Sequence, residues 1–109
     1  MKVICVDIDE TICSYEGVKR EYSNASPILD NIQKINQLFE EGHKIIYWTA
    51  RGSTTGIDWS ELTIEQLQRW GAKHNEVMFG KPYYDLFIDD KAINTLTFFK
   101  DEKYEFRID

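Results

Sequence analysis

Apolar and polar positions along the chain fall into two patterns. Short apolar runs rich in β-branched or aromatic residues predict buried strands at 3–6, 43–49, 76–79, 86–88 and 104–108. Apolar residues at helical spacing predict helices between these runs, at 26–42, 63–71 and 92–100. Because strands alternate with helices, the pattern predicts an α/β fold: a three-layer sandwich around a central, mainly parallel, Rossmann-like sheet. The 109 residues are expected to form one domain, 1–109.

Residue types near the ends of the predicted helices indicate where each begins and ends. Ser26 and Pro27 are typical of an N-cap and a first helical position, and Gly42 is typical of a residue just past a helix C-terminus. The segment 63–66 has the pattern of a capping box. It opens a helix whose predicted apolar stripe consists of Ile64, Leu67 and Trp70.

Residues that carry chemistry follow several of the predicted strands. Asp7 and Asp9 follow the first strand and start on the same side of the chain, because side chains alternate along a strand. The others follow the later strands: Thr49, Lys81, Asp89 and Asp90. Ligands of open α/β sheets bind outside the carboxyl ends of the strands, so the fold is expected to bring this set together. Taken singly, each has an ordinary alternative: a turn cap, a strand residue or a solvated loop lysine.

The set as a whole has the chemistry of phosphoryl transfer. Carboxylates from separate strands suit a hard divalent cation, Mg²⁺ above all, while lysine and threonine suit the oxygens of a phosphoryl group. A metal ion and a lysine would neutralise the charge that develops during transfer. One aspartate would attack phosphorus, and the aspartate two residues on would act as general acid and base.

These residues also carry a resemblance to a known family. The segment Asp7-Ile8-Asp9-Glu10-Thr11 resembles the first motif, DxDxT, of the haloacid dehalogenase (HAD) superfamily of phosphatases. Thr49, Lys81 and the pair Asp89-Asp90 resemble its second, third and fourth motifs in order and in placement. The stretches 49–52, 80–85 and 88–91 further resemble small phosphatases associated with bacterial capsule and surface-polysaccharide biosynthesis. The polar segment 13–25 is too short for the superfamily's cap domain, so the chain resembles a capless member.

The resemblance implies a role for each matched residue. Asp7 would be the nucleophile and a metal ligand. Asp9 would be the general acid and base, and would bind the metal through its backbone carbonyl. Thr49 would hold the transferring phosphoryl group, and Lys81 would orient the nucleophile and the phosphate. Arg51, close to Thr49 in sequence, is a second candidate contact to phosphate or substrate, with a surface salt bridge as the equal alternative.

The implied metal is Mg²⁺. Asp90 would bind it directly, and Asp89 would lie next to Asp90 in the second shell of the metal. The implied activity is hydrolysis of a phosphomonoester through an aspartyl-phosphate, with a small sugar or polyol phosphate of polysaccharide biosynthesis as the substrate. A nucleic-acid end phosphatase is one alternative, because capless members admit polymer ends. A non-enzymatic phospho-receiver module is another, because receivers also gather acids, threonine and lysine around Mg²⁺.

Charge and composition narrow the expected partners. The formal net charge is −6 and no stripe of Lys and Arg is present, which disfavours a nucleic-acid partner. No apolar run approaches the roughly 20 residues of a membrane span. No signal peptide precedes the first strand and the two cysteines do not suggest a disulfide framework, so a cytoplasmic protein is expected. The segments 14–25 and 53–62, and a neighbouring subunit of a homo-oligomer, are candidate walls of the substrate crevice.

Overall fold

A parallel sheet forms the centre of the computed structural model, which describes residues 1–17 and 20–100. In chain order the strands are β1 (Val3–Val6), β2 (Cys13–Ser14), β3 (Ser26–Pro27), β4 (Lys44–Trp48) and β5 (Glu76–Met78). The helices are α1 (Leu29–Glu40), α2 (Ser60–Arg69) and α3 (Thr95–Lys100), with a 3₁₀ turn at Tyr22–Asn24. Three strands form the parallel sheet in the order β1-β4-β5. The predicted α/β class with a parallel central sheet is therefore confirmed.

The hydrophobic core lies between one face of this sheet and the helices. Ile4 pairs with Ile45 and Val6 pairs with Tyr47, so these four side chains share that face. The core continues from it into the helices and into the turn that follows β1: Ile8, Ile12, Ile32, Ile35, Leu67, Trp70 and Phe98. No helix in the described part of the chain is both long enough and apolar enough to cross a membrane.

The opposite face of the sheet is more open in residues 1–17 and 20–100. Ile46 lies there and is buried, but its neighbours on either side, Cys5 and Glu76, are exposed. Val3 and Met78 share this face and are also exposed. The described core therefore joins the helices to one face of the sheet.

The predicted start of the first helix is wrong, and a tertiary hydrogen bond explains why. Ser26 and Pro27 form β3, which pairs antiparallel with β2, and α1 begins only after them. The N–H of Ile28 donates to the carbonyl oxygen of Ile12 at 2.8 Å, and no side chain caps the helix. Pairing with β2 thus outweighs the local capping preference. Gly42 ends the helix as predicted, with a φ of 96° that suits glycine.

The starts of the other two helices also differ from the prediction. α2 begins at Ser60, ahead of the predicted cap Thr63, and the Asp58 carboxylate accepts a hydrogen bond from the Ser60 N–H at 2.9 Å. α3 begins later than predicted. The side chain of Asn94 accepts from the N–H of Leu96 at 2.9 Å and sets that start. In both helices a short polar side chain accepts a hydrogen bond from an amide of the first turn, although the N-cap residue of α2, Trp59, makes no capping bond itself.

The buried face of α2 is rotated relative to the predicted stripe. Thr63, Gln66 and Leu67 are buried, whereas Ile64 is half exposed. The two polar side chains point inward because both accept hydrogen bonds from the buried guanidinium of Arg51. A buried charge thus selects polar residues for the inner face, which an apolar pattern does not anticipate.

The predicted strand at 86–88 is wrong. The backbone is irregular from 79 to 94, and the side chains of Leu86 and Ile88 are 75% and 87% exposed. An apolar triplet becomes a strand only where a neighbouring strand supplies its hydrogen bonds, and none pairs with it within the described ranges. Asp89 and Asp90 therefore do not end a strand. The predicted strand at 104–108 lies outside the described residues.

Candidate active site

A tight turn directly after β1 fixes the positions of both motif aspartates. The N–H of Ile12 donates to the carbonyl oxygen of Ile8 at 2.9 Å, and both side chains are fully buried. Glu10 adopts a φ of 63°, a left-handed position that costs a non-glycine residue about 1–2 kcal/mol. Asp7 and Asp9 therefore project from a short segment that is anchored in the core.

Asp7 faces Lys81 at the edge of the sheet. The Nζ atom of Lys81 lies 3.6 Å from Oδ1 of Asp7, and the lysine side chain is only 11% exposed. The N–H of Lys81 donates to the carbonyl oxygen of Thr49 at 3.2 Å, which holds this segment against the end of β4. The rings of Trp48 and Tyr84 lie 5.6 and 5.3 Å from Nζ, close enough for cation–π attraction. Burial raises the pKa of Asp7, and the charge of Lys81 partly offsets that rise.

Thr49 is buried where β4 ends. Its N–H donates to the carbonyl oxygen of Met78 at 3.0 Å, which continues the sheet. Its hydroxyl oxygen accepts a hydrogen bond from the N–H of Arg51 at 3.1 Å. The hydroxyl proton therefore remains available to donate a hydrogen bond.

Asp9 lies in a buried network on the other side of the turn. Its Oδ1 atom accepts from Nη2 of Arg51 at 2.9 Å, from the Tyr15 hydroxyl at 2.5 Å and from Sγ of Cys13 at 3.5 Å. Nε of Arg51 lies 3.1 Å from Oδ2 and 3.3 Å from Oδ1. The guanidinium thus holds the carboxylate through two nitrogens, the strong form of this ion pair.

The network shifts the ionisation of its members. Burial alone would raise the pKa of Asp9, but the hydrogen bonds and charge of Arg51, with the Tyr15 hydrogen bond, hold it below its usual value. Burial and the neighbouring carboxylate raise the pKa of Tyr15. Burial, with Asp9 as the next cause, raises the pKa of the Cys13 thiol to about 12. At neutral pH the group at the centre of this network is therefore an ionised carboxylate.

Arg51 is completely buried and connects Asp9 to helix α2. Its Nη1 atom donates to the Thr63 hydroxyl at 3.1 Å and to the Gln66 side-chain oxygen at 2.6 Å. Its guanidinium also lies over the ring of Tyr22, 4.8 Å from the ring centre. The sequence suggested either a phosphate contact or a surface salt bridge. Instead, the arginine forms an interior ion pair with Asp9.

Asp89 and Asp90 are exposed and do not join this site in the described arrangement. Asp89 accepts a hydrogen bond from the N–H of Lys91 at 2.8 Å, which lowers its pKa. Among residues 1–17 and 20–100 no group of three or more His, Cys, Asp or Glu side chains lies together as a metal site. The carboxylates predicted to share Mg²⁺ with Asp7 and Asp9 are therefore not assembled around them here.

A shallow cavity of about 200 Å³ opens beside Arg51. The loop 52–59 and the segment 79–80 line it, with side chains that include Ile57, Asp58, Trp59 and Phe79. The Ser53 hydroxyl donates to the carbonyl oxygen of Lys81 at 2.6 Å and ties the loop to the lysine segment. This places the segment predicted to wall the crevice next to Lys81.

Sequence reasoning missed the anchoring role of Tyr15, Thr63 and Gln66. The sequence pattern assigned Thr63 and Gln66 to the capping box at 63–66, and Tyr15 to a wall of the substrate crevice. The available signal was polar: Thr63 and Gln66 are three residues apart and share the helix face that also carries Leu67. A pattern read from apolar residues alone does not detect a buried arginine and its partners.

Comparisons with known proteins provide information on the fold of this chain and none on its chemistry. No protein-family model matches the chain, and no curated protein matches it. The crystal structure of an MCSG target from Vibrio cholerae does match, with a TM-score of 0.79 and 27% sequence identity. The match covers 94% of this chain and 91% of that one. The α/β arrangement is therefore similar to one found in a crystal structure over nearly the whole of both chains.

Proposed function

We propose that this protein is a phosphomonoesterase that works through an aspartyl-phosphate on Asp7. The observation that carries the proposal is the pairing of Asp7, directly after β1, with the nearly buried Lys81, whose Nζ lies 3.6 Å from Oδ1 of Asp7. The Thr49 backbone is hydrogen-bonded to the same lysine, and a second carboxylate, Asp9, follows two residues on. Phosphoryl transfer requires a nucleophile, a cation and a hydroxyl donor around one position, and we assign these roles to Asp7, Lys81 and Thr49.

In the first half of the proposed reaction, an oxygen of Asp7 attacks phosphorus and the bond from phosphorus to the leaving oxygen breaks. Lys81 and the Thr49 hydroxyl stabilise the negative charge on the phosphoryl oxygens. Asp9 gives a proton to the leaving oxygen. In the second half, Asp9 takes a proton from water as the water oxygen bonds to phosphorus. The bond from phosphorus to Asp7 then breaks, and the carboxylate is restored.

Arg51 affects the two halves of the reaction differently, because Asp9 must be protonated in the first half and ionised in the second. It favours the ionised form of Asp9, the form that accepts a proton. The described arrangement therefore suits the second half of the reaction directly. The first half requires Asp9 to take up a proton once the phosphate ester is bound.

A requirement for Mg²⁺ belongs to the proposal through the resemblance to HAD phosphatases. The described side chains do not fit such a site, because Asp89 and Asp90 lie exposed and away from a shared cluster with Asp7 and Asp9. The steps above are accordingly assigned to Asp7, Asp9, Thr49 and Lys81 alone. The finer fold expectation, a capless three-layer HAD-like sandwich, is part of the same proposal.

The proposed substrate is a small sugar or polyol phosphate, used in the cytoplasm for polysaccharide biosynthesis. The cavity beside Arg51 supports a small polar leaving group, because it offers a carboxylate, two aromatic rings and loop backbone in about 200 Å³. A carboxylate such as Asp58 accepts hydrogen bonds from hydroxyl groups and repels a second phosphate. This favours a neutral, hydroxyl-rich leaving group.

A panel of phosphate esters, with and without Mg²⁺, tests the proposed function. The panel comprises hexose and polyol phosphates, p-nitrophenyl phosphate and an oligonucleotide with a 5′-phosphate. We expect release of inorganic phosphate, with a sugar or polyol phosphate giving the highest kcat/KM. Preference for the oligonucleotide would replace the substrate proposal. A stable phosphorylated protein without turnover would indicate a receiver module.

A further inference from the structure

We propose that Arg51 is a positioning residue that sets the Asp9 carboxylate for hydrolysis of the phosphorylated intermediate, and that it is not a ligand of the substrate phosphate. This inference rests on the proposed function, since it assigns a role within the same reaction. The observation behind it is the set of hydrogen bonds that the buried guanidinium of Arg51 makes.

All five N–H groups of Arg51 have partners among the described residues. The Nε proton points to Asp9, the two Nη1 protons to Thr63 and Gln66, and the two Nη2 protons to Asp9 and Tyr15. A guanidinium has five N–H donors and no more. A phosphate could bind Arg51 only by breaking contacts that hold a side chain with no exposed surface.

The same contacts distinguish the two oxygens of Asp9. Oδ1 accepts from Arg51 at 2.9 Å, from Tyr15 at 2.5 Å and from Cys13 at 3.5 Å. For Oδ2 the described residues supply one donor, Nε of Arg51 at 3.1 Å. Oδ1 is therefore the anchored oxygen. Oδ2 retains a lone pair to accept a proton from water.

The anchor is rigid because it reaches into three parts of the fold. Thr63 and Gln66 connect Arg51 to helix α2, and the side-chain amide of Gln66 also donates to the carbonyl oxygen of Tyr22 at 2.6 Å. The Arg51 N–H is bound to the Thr49 hydroxyl at the end of β4. A general base must lie within hydrogen-bonding reach of the proton it takes, so fixing Asp9 in this way serves the step directly.

In that step the water O–H bond breaks and its proton passes to Oδ2 of Asp9. The water oxygen bonds to phosphorus, and the electron pair of the breaking bond between phosphorus and oxygen returns to Asp7. An aryl ester isolates this step, because nitrophenolate leaves without a proton and its release reports only the first half. Slower hydrolysis of the intermediate then appears as a burst of nitrophenolate followed by slow turnover.

Arg51→Lys tests the assignment, since it keeps a positive charge beside Asp9 and removes the two-point hold. We expect a burst approaching one nitrophenolate per protein molecule and a steady rate lowered at least about tenfold, within the range that general base catalysis contributes. Gln66→Met is a milder second variant, which leaves Arg51 in place and removes one anchor. We expect a smaller change in the same direction. Arg69→Met, an exposed arginine of α2 paired with Glu65, is the matched control and should behave like the unaltered protein.

Binding of inorganic phosphate separates positioning from phosphate recognition without relying on turnover. We expect Arg51→Lys to change the Kd of inorganic phosphate by no more than about threefold, since a lost charge-assisted hydrogen bond would change it by about tenfold or more. An increase of more than about tenfold in the Kd of inorganic phosphate would make Arg51 a substrate ligand and overturn the inference. A slower burst without accumulation of the intermediate would do the same. Absence of hydrolysis by the unaltered protein would instead overturn the proposed function, and the phosphate titration would still decide whether Arg51 binds the anion.

Discussion

Asp7 presents a partly exposed carboxylate to Lys81, and one substitution tests whether that carboxylate reacts. Asp7→Asn keeps the shape of the side chain and replaces a nucleophile with an amide. We expect kcat below about a thousandth of its original value, with unchanged circular dichroism. Retention of more activity than that would show that Asp7 is not the nucleophile. Asp85→Asn, at an exposed position, is a suitable control.

The two cysteines are expected to differ sharply in reactivity. Cys5 is exposed, whereas Cys13 is buried beside Asp9 and has a pKa raised to about 12. Only the thiolate reacts, and a raised pKa leaves Cys13 protonated at pH 8, with its thiolate appearing only as the pH approaches 12. Alkylation of the folded protein at pH 8 should modify Cys5 alone, and Cys5→Ser should then resist modification until it is unfolded. Rapid alkylation of Cys13 in that variant would contradict the buried network.

At the scale of single residues, the sequence indicated the candidate site residues better than it indicated which partners they contact. Asp7 lies 3.6 Å from Lys81, and the Lys81 backbone is hydrogen-bonded to that of Thr49, because all three follow neighbouring strands of one parallel sheet. Arg51 was recognised as important, yet its partner could not be predicted. The orientation of the Arg51 side chain depends on Gln66 and Tyr15, which belong to segments distant from it in the chain.

At the scale of elements, the loop after β4 contains two glycines with positive φ. Only one of them is also packed closely against the backbone. Gly52 has a φ of 84°, and an added methyl group would collide with the carbonyl oxygen of Ile57. Gly56 has a φ of 74° but open space around it. We expect Gly56→Ala to lower the free energy of unfolding by about 1 kcal/mol, the cost of the left-handed backbone.

Gly52→Ala should cost about 1–3 kcal/mol more than that, since overpacking adds to the strain. Urea denaturation of both variants measures the difference. We also expect Gly52→Ala alone to raise KM for the preferred ester, because the loop lines the cavity beside Arg51. Equal effects of the two substitutions would mean that the contact with Ile57 does not shape the loop.

Elements with a marked apolar pattern of their own could be predicted, and features that depend on contacts with other segments could not. The sheet strands and α1 follow from local apolar patterns, and β4, with its buried residues Ile45, Ile46 and Tyr47, lies between β1 and β5. The start of α1 depends on pairing between β2 and β3, a contact between residues 13–14 and 26–27 that no local preference encodes. The segment 86–88 has the composition of a strand, yet composition does not supply a pairing partner.

For the whole molecule, the proposed Mg²⁺ requirement predicts a measurable gain in stability. An ion that binds only the folded chain stabilises it by about 2.7 kcal/mol at a hundred times its Kd. We expect Mg²⁺ to raise Tm and chelation to abolish phosphatase activity. Asp90→Asn should weaken this Tm shift more than Asp89→Asn does. Full activity after exhaustive chelation would remove the metal from the proposal, and the reverse order of the two variants would exchange the roles of Asp89 and Asp90.

The central claim is that phosphate passes through Asp7, and trapping the intermediate tests it most directly. The protein is mixed with p-nitrophenyl phosphate, quenched rapidly and reduced with borohydride, which converts an aspartyl-phosphate into homoserine. Peptide mass spectrometry then locates the product. The account predicts homoserine at position 7, with a larger yield in Arg51→Lys than in the unaltered protein. Turnover with the label at another residue, or with none at Asp7 in either protein, would contradict it.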